Sequence, residues 1–347
     1  MRNTKPNMNK EFDNLVLPND HYLRIAKESK SNYYNEFLES ISKIKKIIPD
    51  KDFKVFWEDK MQLNKSKFDE KAFIQGACEI AVANYFSEKN DFKVEVQVNP
   101  NNKKDVDTQF KSNGFTYNIE VKCASFDAKE KVQNSDSFQF QTLGRFDNKN
   151  DIINILSKAL DEGLTKQGKP LKPHAELKNM DNNLKDFLIS AHEKFNPESD
   201  EKEINILLIG CNDKADMQCW VGYLTASAGL FTYNSYCDQT NYNNVDLVVL
   251  TNLYYKHKDF YKKNLEKSWN LTETLNLSII NPFSSKNKLD GILNFNTEMI
   301  NYNTEINQFV VPGNAPDGVK EAVRIPHFVI DYLENNQGKY LFDKKTK

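Results

Sequence analysis

The five cysteines include no C-x-x-C pair and are odd in number. This sets aside a disulfide framework and a cysteine-built zinc site and leaves reduced thiols as the expectation. No G-x-x-x-x-G-K-[ST] loop is present, so any ATP-driven step has to come from another protein. No run of about 18 apolar residues occurs, which removes a transmembrane helix. The N-terminal stretch MRNTKPNMNKEFDNLVLPND lacks the apolar core of a secretory signal,. A cytoplasmic protein with no membrane contact is the expectation. Charge of one sign is also missing: 47 Lys and Arg stand against 49 Asp and Glu, a formal net charge of -2. That balance gives no support to nucleic-acid binding and does not exclude it, since a local basic cleft can act within an acidic surface. Five histidines without paired spacing argue against a histidine metal site, His257 included.

Apolar residues are plentiful enough for a sizeable core. They make up 39% of 347 residues, so one elaborated domain or two are both in range. Residues 1–64 read as a helical region, 65–260 as a core with insertions and 261–347 as a C-terminal extension. Apolar spacing predicts one or two amphipathic helices over 20–48 and a stronger helix over 65–89, with Phe73, Ala77, Ile80, Ala81 and Tyr85 as its stripe,. FKVEVQV (92–98) alternates as a strand does. DTQFK and FTYNIEVKCA follow as strands joined by Ser112-Asn113-Gly114, a hairpin signal,. FQFQTLG (138–144) and CWVGYL (219–224) are read as further strands. Helices are expected at 149–163 and 180–195, and TKQGKPLKP between them as an exposed loop. INILLIG (204–210) and VDLVVL (245–250) are unbroken apolar runs, the pattern of strands covered on both faces,; LNLSIINP (275–282) is one more strand. The stretch from 283 reads as irregular, and Pro326 argues against an unbroken helix in EAVRIPHFVIDYLEN,. The order implies an α/β protein with a mixed central sheet flanked by helices.

Charges at strand positions in DVDTQFKSNGFTYNIEVK, Asp105 to Lys122, have no stabilising purpose in a hairpin. Residues two apart on a strand share a face, so Glu120 and Lys122 emerge side by side. The hairpin folds Asp107 back towards Glu120. Gathered carboxylates favour a divalent cation, which relieves their repulsion, and a lysine beside a cation-bound water can orient it or stabilise developing charge. Phosphodiester hydrolysis needs these functions. Asp105 is the rival first acid; its setting in NNKKD reads as loop surface.

The arrangement resembles the PD-(D/E)XK nuclease superfamily, which includes many type II restriction enzymes and Holliday-junction resolvases. Asp107 matches the first acid, with Val106 in place of the usual proline, and Glu120-Val121-Lys122 matches the ExK. Glu79, within GACEIAVANYF on the preceding helix, matches a glutamate that members often place there. The match covers roughly residues 67–125. The resemblance implies a restriction-endonuclease-like core in which Asp107, Glu120 and the Val121 carbonyl bind Mg2+, with Mn2+ as a substitute. Lys122 would stand at the water and Glu79 at an outer or second metal position.

Glu70 is an alternative to Glu79, although an acid near a helix start is explained by the helix dipole alone. Gln139 and Gln141 could lie near the site, as glutamines sometimes do in the superfamily. Trp220 and GLFTYNSYCDQTNY (229–242) could stack on bases, and KHKDFYKKNLEKSW (256–269) is the best phosphate-contact stretch,; core packing and a solvated helix are their ordinary alternatives. The expectation is a Mg-dependent DNA endonuclease of bacterial restriction or anti-phage defence. Its partner is DNA, with a helicase, a methyltransferase, another defence subunit or a second copy as further partners. A repair nuclease for branched or single-stranded DNA and a catalytically inactive nuclease-fold subunit are the alternatives.

Overall fold

The computed structural model describes residues 15–49, 53, 57–63, 65–141, 148–177, 179–226, 228–309 and 325–343. The N-terminal stretch to residue 14, the end of FQFQTLG from 142 and residues 321–324 of the C-terminal segment lie outside the described residues.

Two short helices, α1 (Tyr22–Glu28) and α2 (Asn32–Lys45), precede α3 (Glu70–Phe86). Helix α3 starts where the Asp69 carboxylate accepts the Ala72 amide at 3.1 Å, an N-cap reinforced by the acidic Glu70 in the first turn. It is buried almost all round, from Phe73 to Phe86, as a helix apolar on every side must be. Strands β1 (Asn90–Gln97), β2 (Asp105–Ser112) and β3 (Phe115–Cys123) follow as an antiparallel meander. At the turn between β2 and β3, Asn113 and Gly114 have φ of 50° and 82°, the left-handed pair that matches the twist of two hairpin strands.

The chain then forms α4 (Asp127–Gln133), β4 (Phe138–Phe140), α5 (Lys149–Lys166) and β5 (His174–Glu176). Strands β4 and β5 pair with each other in a separate two-stranded sheet. Helix α6 (Asp181–Lys194) leads into β6 (Glu203–Gly210), which lies parallel to β3. Next come α7 (Lys214–Thr225), β7 (Leu247–Thr251, parallel to β6), α8 (Leu253–His257) and β8 (Asn276–Ile280, antiparallel to β7). Helices α9 (Leu289–Glu298), α10 (Asn303–Asn307) and α11 (Ile325–Gln337) complete the described chain. The central sheet is mixed, six-stranded and ordered β1-β2-β3-β6-β7-β8, so the α/β expectation of a mixed sheet flanked by helices is met. Among the described residues no helix is long and apolar enough to cross a membrane.

One buried cluster extends from Tyr22 to Phe342. Helix α3 covers one face of the sheet, where Phe86 stacks on Phe110 at 4.5 Å, and Trp269 reaches it from the C-terminal side beside Phe37. Strand β8 carries the sheet past residue 260.

Several expectations need correction. CWVGYL is helical, within α7, because the Asp213 side chain caps that helix through the Asp216 amide at 2.8 Å; an apolar run buried on all sides carries no periodicity to distinguish helix from strand. Among the described residues, the stretch after 283 holds α9 and α10 ahead of α11. Nothing overturns the reading of Pro326 as a break: α11 begins beside it and holds it in the first turn, where a missing N–H costs nothing,. Residues 256–269 form no continuous solvated helix, and while Lys262 and Lys267 stay exposed, other lysines of the stretch are taken up internally. Lys256 is buried against the Glu266 carbonyl, Lys258 pairs with Glu70, and Lys263 lies over the Tyr255 ring. Trp220, by contrast, takes the ordinary alternative of core packing and stacks on Phe187.

Candidate active site

The site begins where β2 and β3 part. Their backbone ladder runs from Ser112↔Phe115 to Thr108↔Ile119 and then stops. Beyond that point β3 exposes main-chain groups that buried structure must satisfy. Two side chains do so. Asp107 accepts the Val121 amide through Oδ2 at 2.7 Å. Gln75 of α3 donates to the Val121 carbonyl at 2.8 Å, accepts the Cys123 amide at 2.7 Å and donates to Glu79 Oε1 at 2.6 Å. The divergence therefore fixes one carboxylate directly and a second through a shared carboxamide.

Asp107 has carboxylates on two sides. On one, the ammonium of Lys60, from the helical turn at 57–60, contacts Glu79, lies 2.6 Å from Glu95 and lies 3.7 Å from Asp107. Single oxygens of Glu79, Glu95 and Asp107 all fall within 4.8 Å of one another. On the other, Glu120 is fully buried and ion-paired to Lys122 at 2.6 Å and to Lys194, the last residue of α6, at 2.7 Å.

The titration of these groups follows from burial. Desolvation, then repulsion from Asp107, pushes both Glu79 and Glu120 up to about 7, against the pull of Lys60 on the first and of Lys122 and Lys194 on the second,. Burial opposes the charge on Lys122 and Lys60, yet the surrounding carboxylates outweigh it and hold both ammonium groups above their ordinary range. Each fully buried Ile or Phe of α3 contributes about 1.5–3 kcal/mol, so a lone carboxylate in that helix is costly unless compensated. Lys60 and Gln75 compensate Glu79.

Of the residues expected from sequence, Asp107, Glu79, Glu120 and Lys122 come together. Asp107 rather than Asp105 reaches β3; Asp105 pairs with Gln97 at the far end of β2. The three-oxygen group differs from the expected set of Asp107, Glu120 and Val121: Glu120 faces two lysines, and one lone pair of the Val121 carbonyl is taken by Gln75. Glu70 is elsewhere, bound to Tyr22 and Lys258. Gln139 lies on the small sheet, bonded to the 132–133 carbonyls, and Gln141 just past it, bonded to Cys219. His257 is buried, with Tyr33 Oη 2.7 Å from Nδ1.

Gln75, Glu95, Lys60 and Lys194 escaped the sequence reading. Gln75 had a usable signal, four residues before Glu79 and hence on its helical face. Glu95 had none, and the β1–β2 register, from Val94↔Thr108 to Val96↔Val106, sets it across from Asp107. Its φ of 50° is a strained conformation for glutamate. Like charges placed opposite one another on neighbouring strands are destabilising, which a cation between them relieves. No protein-family model, curated protein or solved structure matches the chain.

Proposed function

We propose that the chain is a divalent-metal-dependent endodeoxyribonuclease with a PD-(D/E)XK-like core, serving bacterial restriction or anti-phage defence. The observation that carries the proposal is the Asp107–Val121 bond at 2.7 Å. It ties the first acid to the residue between Glu120 and Lys122, at the point where an antiparallel β2–β3 pair opens and β6 runs parallel to β3. The defence setting comes from the superfamily resemblance.

The donor set suits a hard ion: three carboxylates, each supplying one oxygen to a common centre,. Glu79, Glu95 and Asp107 would hold it, and when bound it supplies charge neutralisation at a phosphate and a water of lowered pKa. Glu120 holds the ammonium groups of Lys122 and Lys194 together. Lys122 orients the attacking water, and both lysines stabilise negative charge gathering on the phosphoryl oxygens. Gln75 fixes Glu79 and the divergent end of β3 and excludes solvent from both.

A second reading, a nuclease-fold binding subunit without catalysis, is favoured by the cations already at these acids: Lys60 on one side, Lys122 and Lys194 on the other. Plasmid DNA incubated with EDTA-treated protein and then with Mg2+ or Mn2+ separates the two. Ion-dependent nicking that disappears in Asp107→Asn is expected. Intact supercoiled, linear, branched, single-stranded and methylated substrates under both ions would sink the nuclease assignment and leave the binding subunit.

A further inference from the structure

Lys60 occupies the place where the three-carboxylate group would put an ion, and the fold makes room for it deliberately. Its ammonium contacts Glu79 and lies 2.6 Å from Glu95 and 3.7 Å from Asp107, the same three side chains whose oxygens gather within 4.8 Å. The backbone of Lys60 is pressed onto α3 at Gly76. A Cβ at that position would overlap the Lys60 carbonyl oxygen and lie 2.8 Å from its carbonyl carbon. Gly76 is inside a helix, where glycine costs about 1 kcal/mol relative to alanine. The close approach of Lys60 accounts for that cost, independently of any charge in the site. Lys60 and Glu95 also line a cleft of about 860 Å³, bounded by residues 47–49 after α2 and by β1 and open to solvent, which gives an ion a way in and the lysine a way out.

We propose that Lys60 is the resident counter-ion of the acid group and that a divalent cation binds by exchange with it, the ammonium moving out into the cleft. This rests on the metal site proposed above. An ion and an ammonium cannot share the same oxygens. Occupation by Lys60 therefore lowers apparent ion affinity by the fraction of molecules in which the lysine has left. Lys60 sets the ion concentration at which the site loads, and it keeps three facing carboxylates compatible with a folded chain before loading.

Two measurements test the exchange. In the first, wild-type protein is treated with an amine-acylating reagent in EDTA and in saturating Ca2+, and modification at Lys60 is read by peptide mass spectrometry. Lys60 should be protected in EDTA and modified in Ca2+; equal or lower modification in Ca2+, with binding of the ion established, overturns the exchange. In the second, Mn2+ and Ca2+ are titrated calorimetrically into wild type, Lys60→Met and Gly76→Ala. Both variants should bind about tenfold tighter or more, Gly76→Ala because it pushes the lysine away with every charge intact. Should Lys60→Met fold only with Ca2+ present, the counter-ion role is supported; should it not fold at all, Gly76→Ala decides. Variants that bind no tighter than a wild type that does bind overturn the exchange alone. No binding by wild type or by any folded variant removes the metal site, and the exchange with it.

Discussion

Asp107 and Val121 are joined side chain to main chain: Oδ2 of the carboxylate takes the amide N–H at 2.7 Å, where the β2–β3 ladder has ended. The bond and the charge are separable. Asp107→Asn keeps an oxygen for the Val121 amide and loses the charge. It should stay within about 1 kcal/mol of wild type in stability while cleavage falls at least about 100-fold. Asp107→Ala leaves a buried N–H unpaired and should cost about 1–3 kcal/mol as well. Urea midpoints and plasmid nicking on the same preparations check both; an active Asp107→Asn would remove Asp107 from the chemistry.

Gln75→Leu keeps the size of the side chain and removes three hydrogen bonds at once, to Val121, Cys123 and Glu79. The variant should lose about 1–3 kcal/mol and bind Mn2+ more weakly, because Glu79 is no longer held. Unchanged ion affinity at lowered stability would confine Gln75 to closing the strand.

Glu120 shows its burial in a pH profile. Its folded pKa is about 7 against an ordinary 4.5, so between these values the folded chain holds a proton that the unfolded chain has released. This contribution to stability is greatest below about 4.5, shrinks as pH rises and levels off above about 7. Glu120→Gln removes it. The stability of that variant relative to wild type should therefore improve by about 1–3 kcal/mol between pH 5 and pH 8 in EDTA. Urea midpoints at the two pH values measure the change, and a difference that stays flat or moves the other way contradicts the buried carboxylate.

His257 pulls in the opposite direction. Burial, then Lys256 and Lys263, lowers its pKa from 6.5 to about 3, so it is neutral in the fold beside Tyr33. The unfolded chain binds a proton there first, and stability is lost as pH falls below about 6.5. His257→Gln should lessen the loss between pH 7 and pH 5 by about 1–2 kcal/mol and leave cleavage per folded molecule unchanged. Loss of cleavage at intact stability would give His257 a place in the site.

Oxygen-only donors predict ion selectivity. Mg2+ or Mn2+ should restore cleavage to EDTA-treated protein. Ca2+ should bind with little turnover, and Zn2+ should be dispensable. Restoration by Zn2+ alone would point to nitrogen or sulfur donors and away from Glu79, Glu95 and Asp107.

The parts legible in the sequence were those governed by local rules. The β2–β3 hairpin was readable because Asn113-Gly114 can take left-handed backbone at both turn positions,. Strand alternation placed Glu120 and Lys122 on one face, and they are ion-paired at 2.6 Å. Strands β6 and β7 announced themselves as unbroken apolar runs. Lys60 and Lys194 were invisible because they reach the site from helical segments outside the hairpin and α3, and an isolated lysine reads as surface until the fold places acids around it. Glu95 was hidden differently: in FKVEVQV it occupies an ordinary polar position of an alternating strand, and only the β1–β2 register sets it across from Asp107. Helix α7 was misread because tertiary burial on every side erased its period.

Strand β1 is one edge of the sheet, and the free edge of a sheet is a template on which a strand from another molecule can add. In β1 that template is broken. Asp91 and Glu95 both adopt left-handed backbone, and the register to β2 slips between Asn90 and Lys93. No straight row of N–H and C=O groups faces outward. The left-handed turn that brings a carboxylate to Lys60 thus also guards the protein against stacking edge to edge. A Glu95→Val chain, relaxed to a regular strand, would surrender a charged group at the edge and gain a β-branched rim ready for pairing, and would be more prone to aggregate.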